Sequence, residues 1–284
     1  MATAKKAAPK KKSAARKPAA KTVAAAKVVK TKNVGLFAKK YSGDESVASF
    51  FRTPAFVGSL LAEIIGVFLL VIVVLATQAS PLYVLFGILG ISLATYAFSG
   101  AHINPVITLG AMVTRRVSVV RGIFYLIAQV LGALLAYVVM TGFIGGSPAV
   151  SAEMAAYGQQ APELFRMAVL PEGKEWFIIF TELLGAGIIG LFFARALKYK
   201  RSVFTFAITA GSGLFVALLL ALTTAGYIGG GFALNPAIAV AMQTFNGEIH
   251  LGWALLVYAL APVIGGILGF FINDLIAATG ADAE

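Results

Sequence analysis

Few residues in this chain could do chemistry, and the few come in matched pairs. Asn104 stands in Ser99-Gly100-Ala101-His102-Ile103-Asn104-Pro105-Val106, and Asn235 stands in Gly231-Phe232-Ala233-Leu234-Asn235-Pro236-Ala237. Glu63 and Glu182 are acids set deep in apolar runs. An amide side chain donates hydrogen bonds without carrying charge, so the Asn pair suits contact with the oxygen of a neutral molecule. A buried acid suits either proton carriage or the bracing of irregular backbone through accepted N–H bonds. The symmetric placement of Glu63 and Glu182 favours bracing, with Gln129 as further scaffolding. His102 reads as a hydrogen-bonding residue of its turn rather than a metal ligand. There is no cysteine, and the only other histidine is His250. No nucleophile–base pair, metal cluster or nucleotide motif is apparent, so neither an enzyme nor a cofactor is expected.

The elements that must position these groups follow from their neighbours. Proline is pre-shaped for the first position of a helix, and asparagine suits the cap before it. Pro105-Val106 and Pro236-Ala237 therefore open short helices, expected over 104–113 and 235–244. One Asn-Pro alone marks an ordinary turn. Two in matching places of a repeated chain mark a pair of half-helices, too short to cross a bilayer. Their N-termini would present free N–H groups and the positive end of the helix dipole.

The setting is a membrane. Of 284 residues 59% are hydrophobic and 12% charged, far too apolar for a soluble domain. Six apolar runs, near 56–78, 82–99, 118–141, 176–196, 203–227 and 251–277, are each long enough to span a bilayer. Charge is divided unevenly: residues 1–40 hold 13 of the 23 Lys and Arg and no acid. Residues 1–49 are expected to be a disordered basic tail, and contact with anionic lipid or nucleic acid is the partner chemistry it offers. Arg115, Arg116, Arg121, Arg195, Lys198, Lys200 and Arg201 fall on the same side of a six-span arrangement as that tail. The positive-inside rule makes this side, and both termini, cytoplasmic in a multi-pass protein. The acid-rich loop near 144–175 would lie outside.

The halves repeat. Ala62-Glu63-Ile64-Ile65-Gly66 matches Thr181-Glu182-Leu183-Leu184-Gly185, and Ala128-Gln129-Val130-Leu131-Gly132 matches Ala261-Pro262-Val263-Ile264-Gly265. A half with three spans reverses direction in the membrane, so the repeats, about 50–143 and 176–278, are inverted. Such repeats place a site near the midplane, where the two half-helices would meet.

As a set, these motifs, with Ile127-Ala128-Gln129-Val130-Leu131-Gly132-Ala133 and Pro262-Val263-Ile264-Gly265, resemble the major intrinsic proteins, the aquaporins and aquaglyceroporins. The resemblance covers about 50–278. It implies an all-α channel domain of six transmembrane helices and two re-entrant half-helices. A homotetramer with one pore per subunit and passive flow of water, glycerol or other small neutral solutes are implied with it. By the resemblance Asn104 and Asn235 are the central pore donors, and Glu63 and Glu182 hold the pore loops.

The sequence also departs from that family. Val106 stands where the family has Ala, and Ile238 stands where it has the Arg of the outer constriction. The remaining constriction positions, counted from the Asn-Pro landmarks, are Phe86 with Val84 as its rival, Thr223 or Thr224, and Phe232. The expected filter is apolar, poor for water and better for less polar or larger neutral solutes. The competing reading is a closed-pore structural or interaction protein whose tail binds nucleic acid or anionic lipid.

Overall fold

The computed structural model describes Met1, Ala2 and residues 53–199 and 201–280. The segment expected to be a basic tail therefore lies outside the described residues, apart from Met1 and Ala2. Among the described residues six helices are long and apolar enough to cross a membrane. They are α1 (Pro54–Thr77), α2 (Pro81–Ser99), α4 (Val119–Gly145), α6 (Glu175–Ala196), α7 (Val203–Gly226) and α9 (Leu251–Ala278). Two short helices, α3 (Pro105–Val113) and α8 (Pro236–Ala241), sit between the second and third and between the fifth and sixth spans. A further short helix, α5 (Ala152–Ala156), lies in the segment joining the halves. Pro54, Pro81, Pro105 and Pro236 each open a helix, where the missing N–H is no loss.

The two halves pack alike. In the first, α1 lies against α2 and α4; in the second, α6 lies against α7 and α9. The half-helices cross over: α3 packs on α9 of the other half, and α8 packs on α4. The spans α2 and α7 close the bundle against each other. We call the side on which α1 begins the near face and the opposite side, where α1 ends at Thr77, the far face. The half-helix α3 belongs to the near half and α8 to the far half.

Small residues set the closest approaches. A Cβ on Gly265 would strike the Leu183 carbonyl, and one on Gly190 would strike that of Gly266, so α6 and α9 meet backbone to backbone. Without a hydrophobic drive between helices in lipid, close packing of this kind carries much of the association. Gly266 does the same for a side chain: a Cβ there would collide with Val106 Cγ1. The larger Val106 in the first half-helix is thus matched by the absence of a side chain on α9. The equivalent positions in the other repeat are Ala237 and Ala133, both wholly buried.

Two features differ from the sequence expectation. The second half-helix ends at Ala241, not near 244, because Gln243 adopts a left-handed φ of +61° that α-helix cannot continue through. In α9, Leu256–Leu260 form a π-helical turn just before Pro262. Proline inside a helix removes a donor and crowds the carbonyl four residues back, here that of Tyr258, and a widened turn relieves both.

Candidate functional site

The site is assembled from the two turns that precede the half-helices. Ile103 and Leu234, immediately before Asn104 and Asn235, have φ of +54° and +55°. That left-handed backbone is rare for a branched side chain, and surrounding contacts must hold it. The holding groups are Glu63 and Glu182. Glu63 accepts the His102 N–H at 3.1 Å and the Ile103 N–H at 2.8 Å. Glu182 accepts the Ala233 and Leu234 N–H groups, the latter at 2.9 Å. Both carboxyl groups are wholly buried. The glycine three residues after each acid completes the arrangement. Gly66 makes room for the Ile103 side chain, and Gly185 makes room for that of Leu234.

Each asparagine then does two jobs. Its Oδ1 caps its own half-helix, accepting from Val106 N–H at 2.9 Å or Ala237 N–H at 3.0 Å. Its Nδ2 reaches across the pseudo-twofold: Asn104 donates to the Leu234 carbonyl at 3.1 Å, and Asn235 donates to the Ile103 carbonyl at 3.2 Å. The halves are therefore tied by two reciprocal hydrogen bonds at their centre. Every NH2 group has two donors, so each amide keeps one further N–H beyond this tie.

The supports are less symmetric than the motifs. Gln129 Nε2 donates to Glu63 at 2.7 Å and to Thr108 Oγ1 at 2.9 Å, and Thr108 Oγ1 also lies 3.2 Å from His102 Nδ1. His102 is otherwise enclosed by the edges and faces of Tyr125 and Phe193. In the second repeat Pro262 replaces Gln129, and it has no donor to offer Glu182. The sequence reading missed a pair of tyrosines, Tyr125 and Tyr258. Their hydroxyls donate to the Ser99 carbonyl at 3.2 Å and the Gly231 carbonyl at 3.4 Å. They are separated by 133 positions, the same offset as Gln129 and Pro262. That repeat spacing is the signal that would have found them. Asp274, at the near end of α9, is a partner of Arg116. It takes both guanidinium nitrogens of Arg116, Nη1 at 3.2 Å, and so fastens the loop after α3 to α9.

A narrow cavity of about 50 Å³ passes the Asn pair. Asn104, Asn235, His102, Phe232 and Ile238 all border it. On α2 the bordering residues are Val84, Ile88 and Ser92, and on α7 they are Ala210, Leu214 and Leu218. Three expected filter residues are not on this wall. Phe86 is 64% exposed on the outer surface of the bundle, because it lies two residues, more than half a helical turn, from the Val84–Ile88–Ser92 stripe. Val84, its rival, borders the cavity. Thr223 is exposed and donates to the Leu219 carbonyl, and Thr224 bonds the Thr181 hydroxyl at 2.9 Å. Both stand off the 210–214–218 stripe. Counting from the Asn-Pro landmarks thus names three residues that do not border this cavity.

Comparison with known proteins fits this geometry. Residues 50–273 match the family described as "Major intrinsic protein". The chain is 32% identical over 220 residues to the glycerol uptake facilitator protein-like 6 of Lactiplantibacillus plantarum, covering 74% of this chain and 94% of that protein. It is 29% identical over 196 residues to Aquaporin-1 of Canis lupus familiaris, covering 66% and 65%. Among solved structures it is similar to the aquaglyceroporin from Plasmodium falciparum, with a TM-score of 0.61 and 20% identity over 81% of this chain and all of that one. The paired half-helices, the reciprocal asparagines and these similarities lead to one conclusion: the chain belongs to the major intrinsic protein family.

Proposed function

We propose that this protein is a passive channel for small neutral molecules, with Asn104 and Asn235 as the donors at its centre. The observation that carries this reading is the meeting of two half-helix N-termini on one narrow cavity, each with an amide N–H left over. Two positive dipole ends and two neutral donors favour the oxygen of an uncharged solute and oppose cations and hydronium. Glu63 and Glu182 act as braces for the loops, since each accepts two backbone N–H bonds there. Ile238 replaces a charged donor on the far wall of the cavity, so water entering there loses hydrogen bonds that nothing on that side chain restores.

The near face is the cytoplasmic one in this reading, and both termini lie there. Arg115, Arg116, Arg121, Arg195 and Lys198 all fall at that end of the spans, in keeping with the positive-inside rule. The channel domain runs over about 50–278. The basic residues of 1–49 lie on the same side and meet anionic lipid headgroups. Assembly is as a homotetramer, which chemical crosslinking in detergent would contradict if it stopped at a monomer or dimer.

The test is stopped-flow light scattering on liposomes holding the purified protein, with an osmotic step in sucrose and then in glycerol. Slow shrinkage in sucrose with fast glycerol re-swelling supports a solute channel that disfavours water. Fast shrinkage in sucrose contradicts the apolar barrier. No flux of either solute or water contradicts the channel itself and favours a closed pore.

A further inference from the structure

The cavity wall is divided, and the division lies along its length. Its hydrogen-bonding side chains are Ser92, His102, Asn104 and Asn235, which belong to the near half and the centre. Beyond the asparagines the far half presents Leu70, Val74, Val84, Leu218, Phe232 and Ile238. None of these carries a hydroxyl, amide or charge. The missing arginine is therefore one part of a longer stretch from which polar side chains are absent.

Resting on the channel reading, we infer that this protein selects its permeants by how few hydrogen bonds they must give up, rather than by size. The favoured class is the small neutral molecule with one polar end and one apolar end. Such a molecule meets the central amides with its polar end and crosses the far half without many unmade bonds. A molecule of the same size with polar groups at both ends meets no side chain in that half that replaces the bonds it gives up, and each unmade bond slows it. Sequence alone names Ile238, Phe232 and, as the rival of Phe86, Val84; all three border this cavity, and the structure adds Leu218 as a residue that sets specificity.

Acetamide and urea form a matched pair: nearly equal in size, they differ by a methyl group in place of one amino group. Full-length protein in liposomes is exposed to inward gradients of each, and swelling is followed by stopped flow with empty vesicles subtracted. Acetamide is expected to enter at least about tenfold faster than urea. Val84→Thr and Ile238→Thr, each close to size-conserving, are expected to narrow that ratio by at least about threefold. Equal entry of the two amides overturns the inference, as does an unchanged ratio in both variants. Passage of water or glycerol with neither amide overturns it while leaving the channel reading standing. Absence of all four fluxes removes the channel reading as well.

Discussion

Ile238 is 7% exposed and stands on the wall of the cavity, in the first turn of the second half-helix. Replacing it with arginine restores a cation and several N–H donors where the wall is now aliphatic. Ile238→Arg is expected to raise water flux relative to glycerol by about tenfold, the effect of recovering one hydrogen bond; an unchanged ratio in the stopped-flow assay would show that Ile238 does not act in the filter. The acids call for a different test. Glu182 serves two N–H donors with two oxygens. In Glu182→Gln one of those oxygens becomes a donor facing a donor. Folded stability is expected to fall by about 1–3 kcal/mol, read as a lower unfolding midpoint in detergent. A Glu182→Gln protein that kept its midpoint and lost uphill solute transport would instead mark Glu182 as a proton carrier. At this scale the paired residues were legible in the sequence, because a polar group in an apolar run stands out and the repeat supplies a second copy. Phe86, Thr223 and Thr224 were misplaced because a side chain's direction turns by 100° per residue. An error of one or two in a loop length moves it off the cavity.

The elements were easier to read than their details. Six spans and two half-helices follow from hydrophobic length and from Asn-Pro. The π-helical turn in α9 and the early end of α8 do not, because each depends on local backbone that several sequences can adopt. The helix contacts are specific enough to test. Gly266→Ala places a methyl against Val106 and is expected to cost about 1–3 kcal/mol by overpacking. Adding Val106→Ala in the same protein is expected to recover most of that loss. Thermal unfolding of the two single variants and the double variant checks the coupling; simple additivity would show that the two side chains do not share the space.

At the scale of the whole molecule, charge separates two parts of the chain. Residues 1–40 carry 13 Lys and Arg without an acid, while the spans hold little charge. A peptide of residues 1–49 is expected to bind vesicles containing phosphatidylserine and to release them as salt rises, since such attraction is screened within about a nanometre at physiological ionic strength. Salt-sensitive binding to DNA, with none to the vesicles, would point to nucleic acid instead. The inverted repeat was legible here too, because three spans per half fixes the reversal whatever the loops do.

The reciprocal bonds between the asparagines and the opposite loop carbonyls also bear on how the protein is made. The carbonyl of Ile103 waits for a donor on Asn235, which is synthesised 132 residues later. At ribosomal speed that interval is on the order of ten seconds. Through it the first half sits in the membrane with a polar turn still lacking its last partner. The halves therefore cannot mature one after the other; the first is provisional until the second arrives. A chain stopped after residue 145 would be a target for membrane quality control rather than half of a working pore.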